Sequence, residues 1–123
     1  MIIQNVINAV SKLRIAVMPD EYLLQQKIAE ILRAGNINFS KEYYLGKGSR
    51  VDFMTSDRIV IEVKKGKPNR TMLISQINRY AEFDDVDGII IVVETSIRDP
   101  ITVTDNGKPC KIIGLRKLWG IAI

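Results

Sequence analysis

Residues 50–65, RVDFMTSDRIVIEVKK, decide the architecture expected for this chain. Two apolar runs are separated by the polar triplet SDR, which predicts two strands, 50–55 and 59–65, joined by a turn. Because side chains alternate across a strand, Glu62 and Lys64 are expected on one face of the second strand. Taken alone, this pattern also fits an edge strand whose charges pair in solvent.

Two helices and one further strand are expected before this stretch. Apolar residues recur at helical spacing from Ile3 to Leu13 and again from Asp20 to Ala34. Gly35 is expected to end the second helix, because glycine is the common residue just beyond a helix. A strand at 39–45 would then form a β-meander with the two strands of the quoted stretch.

The sequence after this stretch completes a mixed sheet. A helix is expected from Thr71 to Phe83, followed by the apolar strand IIIVV at 89–93. A helix between two strands predicts a crossover, and so an α/β fold with a central mixed β-sheet flanked by helices. Asn106-Gly107 predicts a hairpin with a type I′ turn, and residues 1–123 are expected to form a single domain.

Composition limits the class of protein without deciding it. The one cysteine, Cys110, cannot form an internal disulfide, and a reducing, cytoplasmic setting is the expectation. The longest apolar run, Ile89 to Val93, is far shorter than the roughly 20 residues that cross a bilayer, so no membrane partner is expected. Lysine and arginine outnumber aspartate and glutamate by 18 to 14, which favours a polyanionic partner.

Two carboxylates and a lysine are expected to converge in the meander. Asp52 lies in the first strand, and a short turn would place it beside Glu62. Mg²⁺ prefers oxygen ligands, so these carboxylates and the backbone carbonyl of Val63 would suffice when a substrate phosphate completes the shell; Mn²⁺ is expected to substitute. Lys64 could orient or help deprotonate the attacking water and offset charge on phosphorus.

Asp52, nine intervening residues and then Glu62-Val63-Lys64 resemble the motif of the PD-(D/E)xK nuclease superfamily. Val51 stands where that family usually has a proline. The resemblance implies a restriction-endonuclease-like core and Mg²⁺-dependent hydrolysis of phosphodiester bonds in DNA.

The family often adds an acidic residue from the first core helix, and this chain offers Glu21 and Glu30. At 100° per residue, Glu21 lies about 20° from Ile28 on the helix wheel and Glu30 about 160° away. Glu21 is therefore expected to join the metal site. Its spacing before Asp52 resembles that of archaeal Holliday-junction resolvases. Glu42 is a lower-ranked carboxylate, since its strand phase is uncertain.

The third helix carries a second resemblance. Gln76 and Tyr80 resemble the QxxxY motif of bacterial recombination helicase-nucleases and related phage enzymes, which implies that both act near the scissile strand. Considered singly, Tyr80 also fits a core-edge aromatic and Gln76 a solvated helix position. The other candidates for DNA contact are basic side chains: Arg79 on this helix, and Lys65, Lys67 and Arg70 in the loop before it. A loop with three basic residues is also ordinary surface.

The leading hypothesis is a DNA-cleaving enzyme of repair, recombination or phage DNA processing, acting on branched, flapped or recessed-end structures. The alternatives are a sequence-specific restriction endonuclease, a non-catalytic nucleic-acid-binding or assembly module that keeps the nuclease fold, and a plain α/β interaction domain. A homodimer is expected because paired cuts need two sites related by symmetry. Its interface is expected at the N-terminal helix and the tail LRKLWGIAI, residues 115–123.

Overall fold

A computed structural model describes residues 2–12, 21–94, 97 and 100–115, and the side chains of Ile2 and Glu21 lie outside this description. The described residues form three helices and five strands. In chain order these are α1 (Ile2–Val10), α2 (Glu21–Ala34), β1 (Phe39–Gly46), β2 (Ser49–Thr55), β3 (Ile59–Lys64), α3 (Arg70–Ala81), β4 (Gly88–Val93) and β5 (Cys110–Gly114).

The five strands form one mixed sheet in the order β1-β2-β3-β4-β5. The first three strands pair antiparallel, as expected for a meander. β4 pairs parallel to β3, and β5 pairs parallel to β4. Helix α3 makes the crossover from β3 to β4, because parallel neighbours cannot be joined by a tight turn. The predicted α/β class, with a central mixed sheet flanked by helices, is confirmed.

Each face of the sheet buries its own apolar cluster. One cluster joins α1 and α2 to the β3 residues Ile59, Ile61 and Val63. The other joins α3 to the opposite face of the sheet, including Val60. The alternation expected for β3 is therefore confirmed, and the side chain of Glu62 contacts α3.

Helix α2 ends as predicted before Gly35, but a different residue reverses the backbone. Asn36 has a φ of 58°, the left-handed conformation. The N–H of Ile37 donates to the carbonyl of Leu32, and that of Asn36 to the carbonyl of Arg33. This is a Schellman motif with Asn36 at the left-handed position. Apart from glycine, asparagine is one of the few residue types that adopt a positive φ readily.

The expected hairpin around Asn106 is only partly present. Gly107 has a φ of 87° but Asn106 does not have a positive φ, so the predicted type I′ turn is wrong. The first arm contributes a single bridge, between Val103 and Pro109, in place of a strand. The loop bonds to α3 and its end instead, because Asn106 Nδ2 donates to the carbonyl of Ala81.

The surfaces proposed for dimerisation give little support to that expectation. Ile3, Val6 and Val10, which made α1 look like an interface, are buried in the protein's own core. The tail after Leu115 lies outside the described residues, and the homodimer stays a prediction. No helix in the described part of the chain is long and apolar enough to cross a membrane.

Candidate active site

The centre of the site is the point where β2 and β3 stop pairing through their backbones. Their register joins Met54 to Val60 and Phe53 to Ile61. One residue further along, Asp52 lies opposite Glu62, and here side chains form the hydrogen bonds between the two strands. The N–H of Asp52 donates to Glu62 Oε1 at 3.0 Å.

The contact between the two strands is reciprocal. The N–H of Val63 donates to Asp52 Oδ2 at 2.7 Å, so each carboxylate accepts a hydrogen bond from the backbone of the opposite strand. Both carboxylates are thus held at the same level of the sheet. The convergence of Asp52 and Glu62 expected from the meander is observed in the structure.

An irregularity in two neighbouring strands explains this geometry. Val51 and Met54 both join the apolar cluster of the α3 face, although strict alternation would put residues three apart on opposite faces. At the same level β1 carries Glu42, between the pairs Lys41–Phe53 and Tyr43–Val51, with a φ of 53°. A left-handed non-glycine residue costs roughly 1–2 kcal/mol. The break leaves the Asp52 carboxylate between strands, while Glu42 itself is exposed.

Glu62 is a buried carboxylate, with only 8% of its side chain exposed. The hydroxyl of Tyr80 donates to its Oε2 at 2.9 Å, and Lys64 Nζ lies 3.5 Å from the same oxygen. With the N–H of Asp52, three donors compensate the loss of water around this group. Lys64 therefore meets Glu62 on one face, as the alternation predicted.

Tyr80 acts on Glu62 from inside the protein. Only 2% of the residue is exposed, as the alternative of a core-edge aromatic implies, and its contact with DNA stays a prediction. Burial, followed by the charge of Glu62 and the hydrogen bond to it, raises the pKa of Tyr80, so the hydroxyl remains a donor. Gln76 Nε2 donates to the Tyr80 hydroxyl at 2.8 Å. The i, i+4 pair thus forms a relay of hydrogen bonds to the carboxylate.

The basic loop between β3 and α3 is anchored by Glu94, a residue the sequence reasoning missed. Glu94 Oε1 accepts the N–H of Gly66 at 2.9 Å and lies 3.8 Å from Lys65 Nζ. The signal was present in the strand order, because a residue just after β4 lies beside the end of its parallel neighbour β3. Lys65 is therefore partly neutralised, and the three basic residues Lys65, Lys67 and Arg70 are all exposed.

A cleft of about 310 Å³ opens beside Lys64, the lysine that lies 3.5 Å from Glu62. Its described lining combines β3, the loop and one side of α3: Lys64, Pro68, Asn69, Met72, Leu73, Gln76 and Arg79. The guanidinium of Arg79 lies over the Tyr80 ring, 5.5 Å from its centroid. The structure therefore brings Lys64, Gln76 and Arg79 together, while Lys67 and Arg70 are not among these lining residues.

The additional acidic ligand stays a prediction. The side chain of Glu21 lies outside the described residues, and α2, which begins at Glu21, packs on the face of the sheet opposite to α3. Within the described ranges, no group of three or more His, Cys, Asp or Glu side chains could hold a metal ion. Glu30 is exposed and lies 3.8 Å from Lys27, on the solvent side as predicted.

Neither models of protein families, nor curated proteins, nor solved structures give a match to this chain. The function of this chain is therefore inferred from the residues of its site.

Proposed function

We propose that this protein is a metal-dependent nuclease with a restriction-endonuclease-like core of the PD-(D/E)xK type, which hydrolyses phosphodiester bonds in DNA. The observation that carries the proposal is the reciprocal bonding of Asp52 and Glu62 across the gap between β2 and β3, with Lys64 3.5 Å from Glu62. Two carboxylates and a lysine at one point are the groups that phosphodiester hydrolysis with a divalent cation uses.

The donor set fits Mg²⁺, and Mn²⁺ as a substitute, because every candidate ligand is an oxygen. Glu62 Oε1 accepts one hydrogen bond, from Asp52, and a carboxylate oxygen offers two lone pairs. The N–H of Val63 faces Asp52, and in a strand the carbonyl of a residue faces the same neighbour as its N–H. Asp52, Glu62 and the Val63 carbonyl would hold the ion, with Glu21 as a further proposed ligand.

When bound there, Mg²⁺ would polarise the scissile phosphate and lower the pKa of a water molecule. The chain's own residues have separate roles around it. Lys64 presents its ammonium group at the edge of the carboxylates, where it can orient the attacking water and offset negative charge at phosphorus. Tyr80 and Gln76 fix Oε2 of Glu62, since hydrogen bonds to a ligand set its orientation.

A second candidate is a non-catalytic nucleic-acid-binding module that keeps this fold. The observation that favours it is that Tyr80, Lys64 and the Asp52 N–H already satisfy Glu62 without a cation. Such a module would bind DNA equally well with and without Mg²⁺, and no strand would be cut.

Labelled DNA separates the two candidates. Linear, nicked, flapped and four-way-junction substrates are incubated with the protein, with Mg²⁺ or with EDTA. The nuclease is expected to cut at least one of them with Mg²⁺ only. Asp52→Asn should abolish cutting, and the exposed control Asp57→Asn should not. Binding of these substrates without Mg²⁺-dependent cutting of any would reject the nuclease in favour of the module.

A further inference from the structure

The cleft beside Lys64 has a lining unlike the rest of the site. Lys64 belongs to both, because it lies 3.5 Å from Glu62 and also lines the cleft. The cleft and the proposed site of phosphate hydrolysis therefore share this lysine.

The cleft runs along one side of α3. Met72, Gln76 and Arg79 recur at helical spacing and span about 10 Å of the helix. Met72 is 73% exposed, although it is large and apolar, and next to it Leu73 is buried at 3%. Met72 at the surface and Leu73 beside it provide an apolar contact for a flat aromatic ring, and contacts between a methionine sulfur and an aromatic ring are favourable.

The charge and size of the cleft define its ligand. Two of its lining residues, Lys64 and Arg79, are cationic, two are amides, and no acidic residue is among the described lining. The ligand should therefore carry negative charge together with groups that bond to amides. The volume of about 310 Å³ lies at the lower end of small-molecule sites, roughly 300 to 1,000 Å³. One nucleotide matches these properties, whereas a paired duplex does not fit inside.

Arg79 makes a cation–π contact at the edge of the cleft. Its Cζ lies over the buried Tyr80 ring, 5.5 Å from the ring centroid. Planar guanidinium groups also stack on bases and bind phosphate.

We propose that this cleft receives one unpaired nucleotide of the DNA strand, with its base against Met72 and Leu73 and its phosphate near Lys64 and Arg79. The substrate class of the proposed nuclease is then DNA with an unpaired nucleotide next to the scissile bond. This inference rests on the proposed function. A base inside a duplex has its faces covered by stacking, so only an unpaired base can enter.

The test compares a duplex carrying one unpaired 2-aminopurine with the same duplex fully paired, by fluorescence anisotropy in EDTA. The wild type is expected to bind the first about tenfold more tightly, the effect of one well-stacked base. The 2-aminopurine emission should rise as the base leaves its neighbours. Met72→Ala should reduce the preference to below about twofold, and Met72→Leu should retain most of it. Val103→Ala, which removes an exposed apolar side chain outside the cleft, should leave it unchanged.

The outcomes separate the cleft from the catalytic proposal. Equal affinity for both duplexes, or a preference that survives in Met72→Ala, overturns the assignment of the cleft. Binding of free deoxyadenosine monophosphate together with equal affinity for the two duplexes would assign the cleft to a small-molecule nucleotide instead. The same DNA is then tested with Mg²⁺. If the protein cuts DNA but does not prefer the unpaired base, only the assignment of the cleft is rejected. If it prefers the unpaired base but cuts no DNA, only the nuclease is rejected.

Discussion

The hydroxyl of Tyr80 donates a 2.9 Å hydrogen bond to Oε2 of Glu62 and so ties α3 to β3 at the candidate site. Both residues are buried, at 2% and 6% exposure. A buried carboxylate that lacks such a donor raises the free energy of the folded state. This bond therefore contributes both to the stability of the fold and to the position of Glu62.

Tyr80→Phe tests this relationship, because it removes the hydroxyl and keeps the ring. We expect a loss of about 2 kcal/mol in the free energy of unfolding, since a hydrogen bond to a charged group is lost in the interior. Urea denaturation measures the change. Tyr22→Phe is the matched control, because Tyr22 is 64% exposed and its hydroxyl accepts from Gln26 at the surface. Equal effects of the two substitutions would contradict a special role for Tyr80.

The raised pKa of Tyr80 predicts a pH dependence of stability. The folded state keeps the phenol proton to higher pH than the unfolded state, whose tyrosine pKa is about 10. Above about pH 10 the unfolded state binds fewer protons than the folded state, so the free energy of unfolding falls as pH rises. Tyr80→Phe lacks this contribution, and its stability gap to the wild type should narrow between about pH 9 and 11. A gap that stays constant or widens would contradict the prediction.

The fold was largely predictable because its strongest signals are local. Residues 50–65 contain two apolar runs bounded by short polar turns, so β2 and β3 follow the prediction to within one residue. The period of two along β3 places Glu62 and Lys64 on one face. The pairing of Asp52 with Glu62 also follows, because a turn of a few residues leaves little choice of register.

The remaining features of the site depend on contacts between distant parts of the chain. The QxxxY resemblance implied a role for Tyr80 at the scissile strand, but only the packing of α3 on the sheet shows that its hydroxyl turns inward to Glu62. Glu94 contacts the basic loop through the parallel pairing of β3 with β4. The hairpin prediction failed because bonds from Asn106 and Asp105 to α3 and its end compete with strand pairing.

The exposed basic residues of the loop give an electrostatic prediction. If Lys67 and Arg70 contact phosphates, replacing both by alanine should weaken DNA binding without changing the cleaved position. The slope of log K against log salt should become shallower by about one unit for each lost contact. Lys111→Ala, at an exposed position of β5, is the control for a loss of charge elsewhere. An unchanged slope in the double variant would place the loop away from DNA.

Gly88 provides a test of how α1 packs on the sheet. A Cβ added there would lie 2.9 Å from the Cδ1 atoms of both Ile3 and Ile59, which are buried. These atoms are the far ends of isoleucine side chains and can shift within the core, so Gly88→Ala should cost about 1 kcal/mol, the lower end of the usual cost of overpacking. Gly35→Ala is the control, because its Cβ would meet neighbours at ordinary distances of 3.5 to 3.7 Å. Chemical denaturation of both variants distinguishes them, and an unchanged stability of Gly88→Ala would contradict this packing.

Calorimetric titration with Mg²⁺, repeated with Mn²⁺, tests the central claim most directly. Asp52→Asn removes a ligand charge but keeps a carbonyl oxygen that can accept the Val63 N–H, so the fold should survive. The wild type and Asp57→Asn are expected to bind the ion alike, and Asp52→Asn to bind it at least about tenfold more weakly. Circular dichroism confirms that all three are folded. The same isotherm for wild type and Asp52→Asn would contradict the assignment of Asp52 and Glu62 as a metal site.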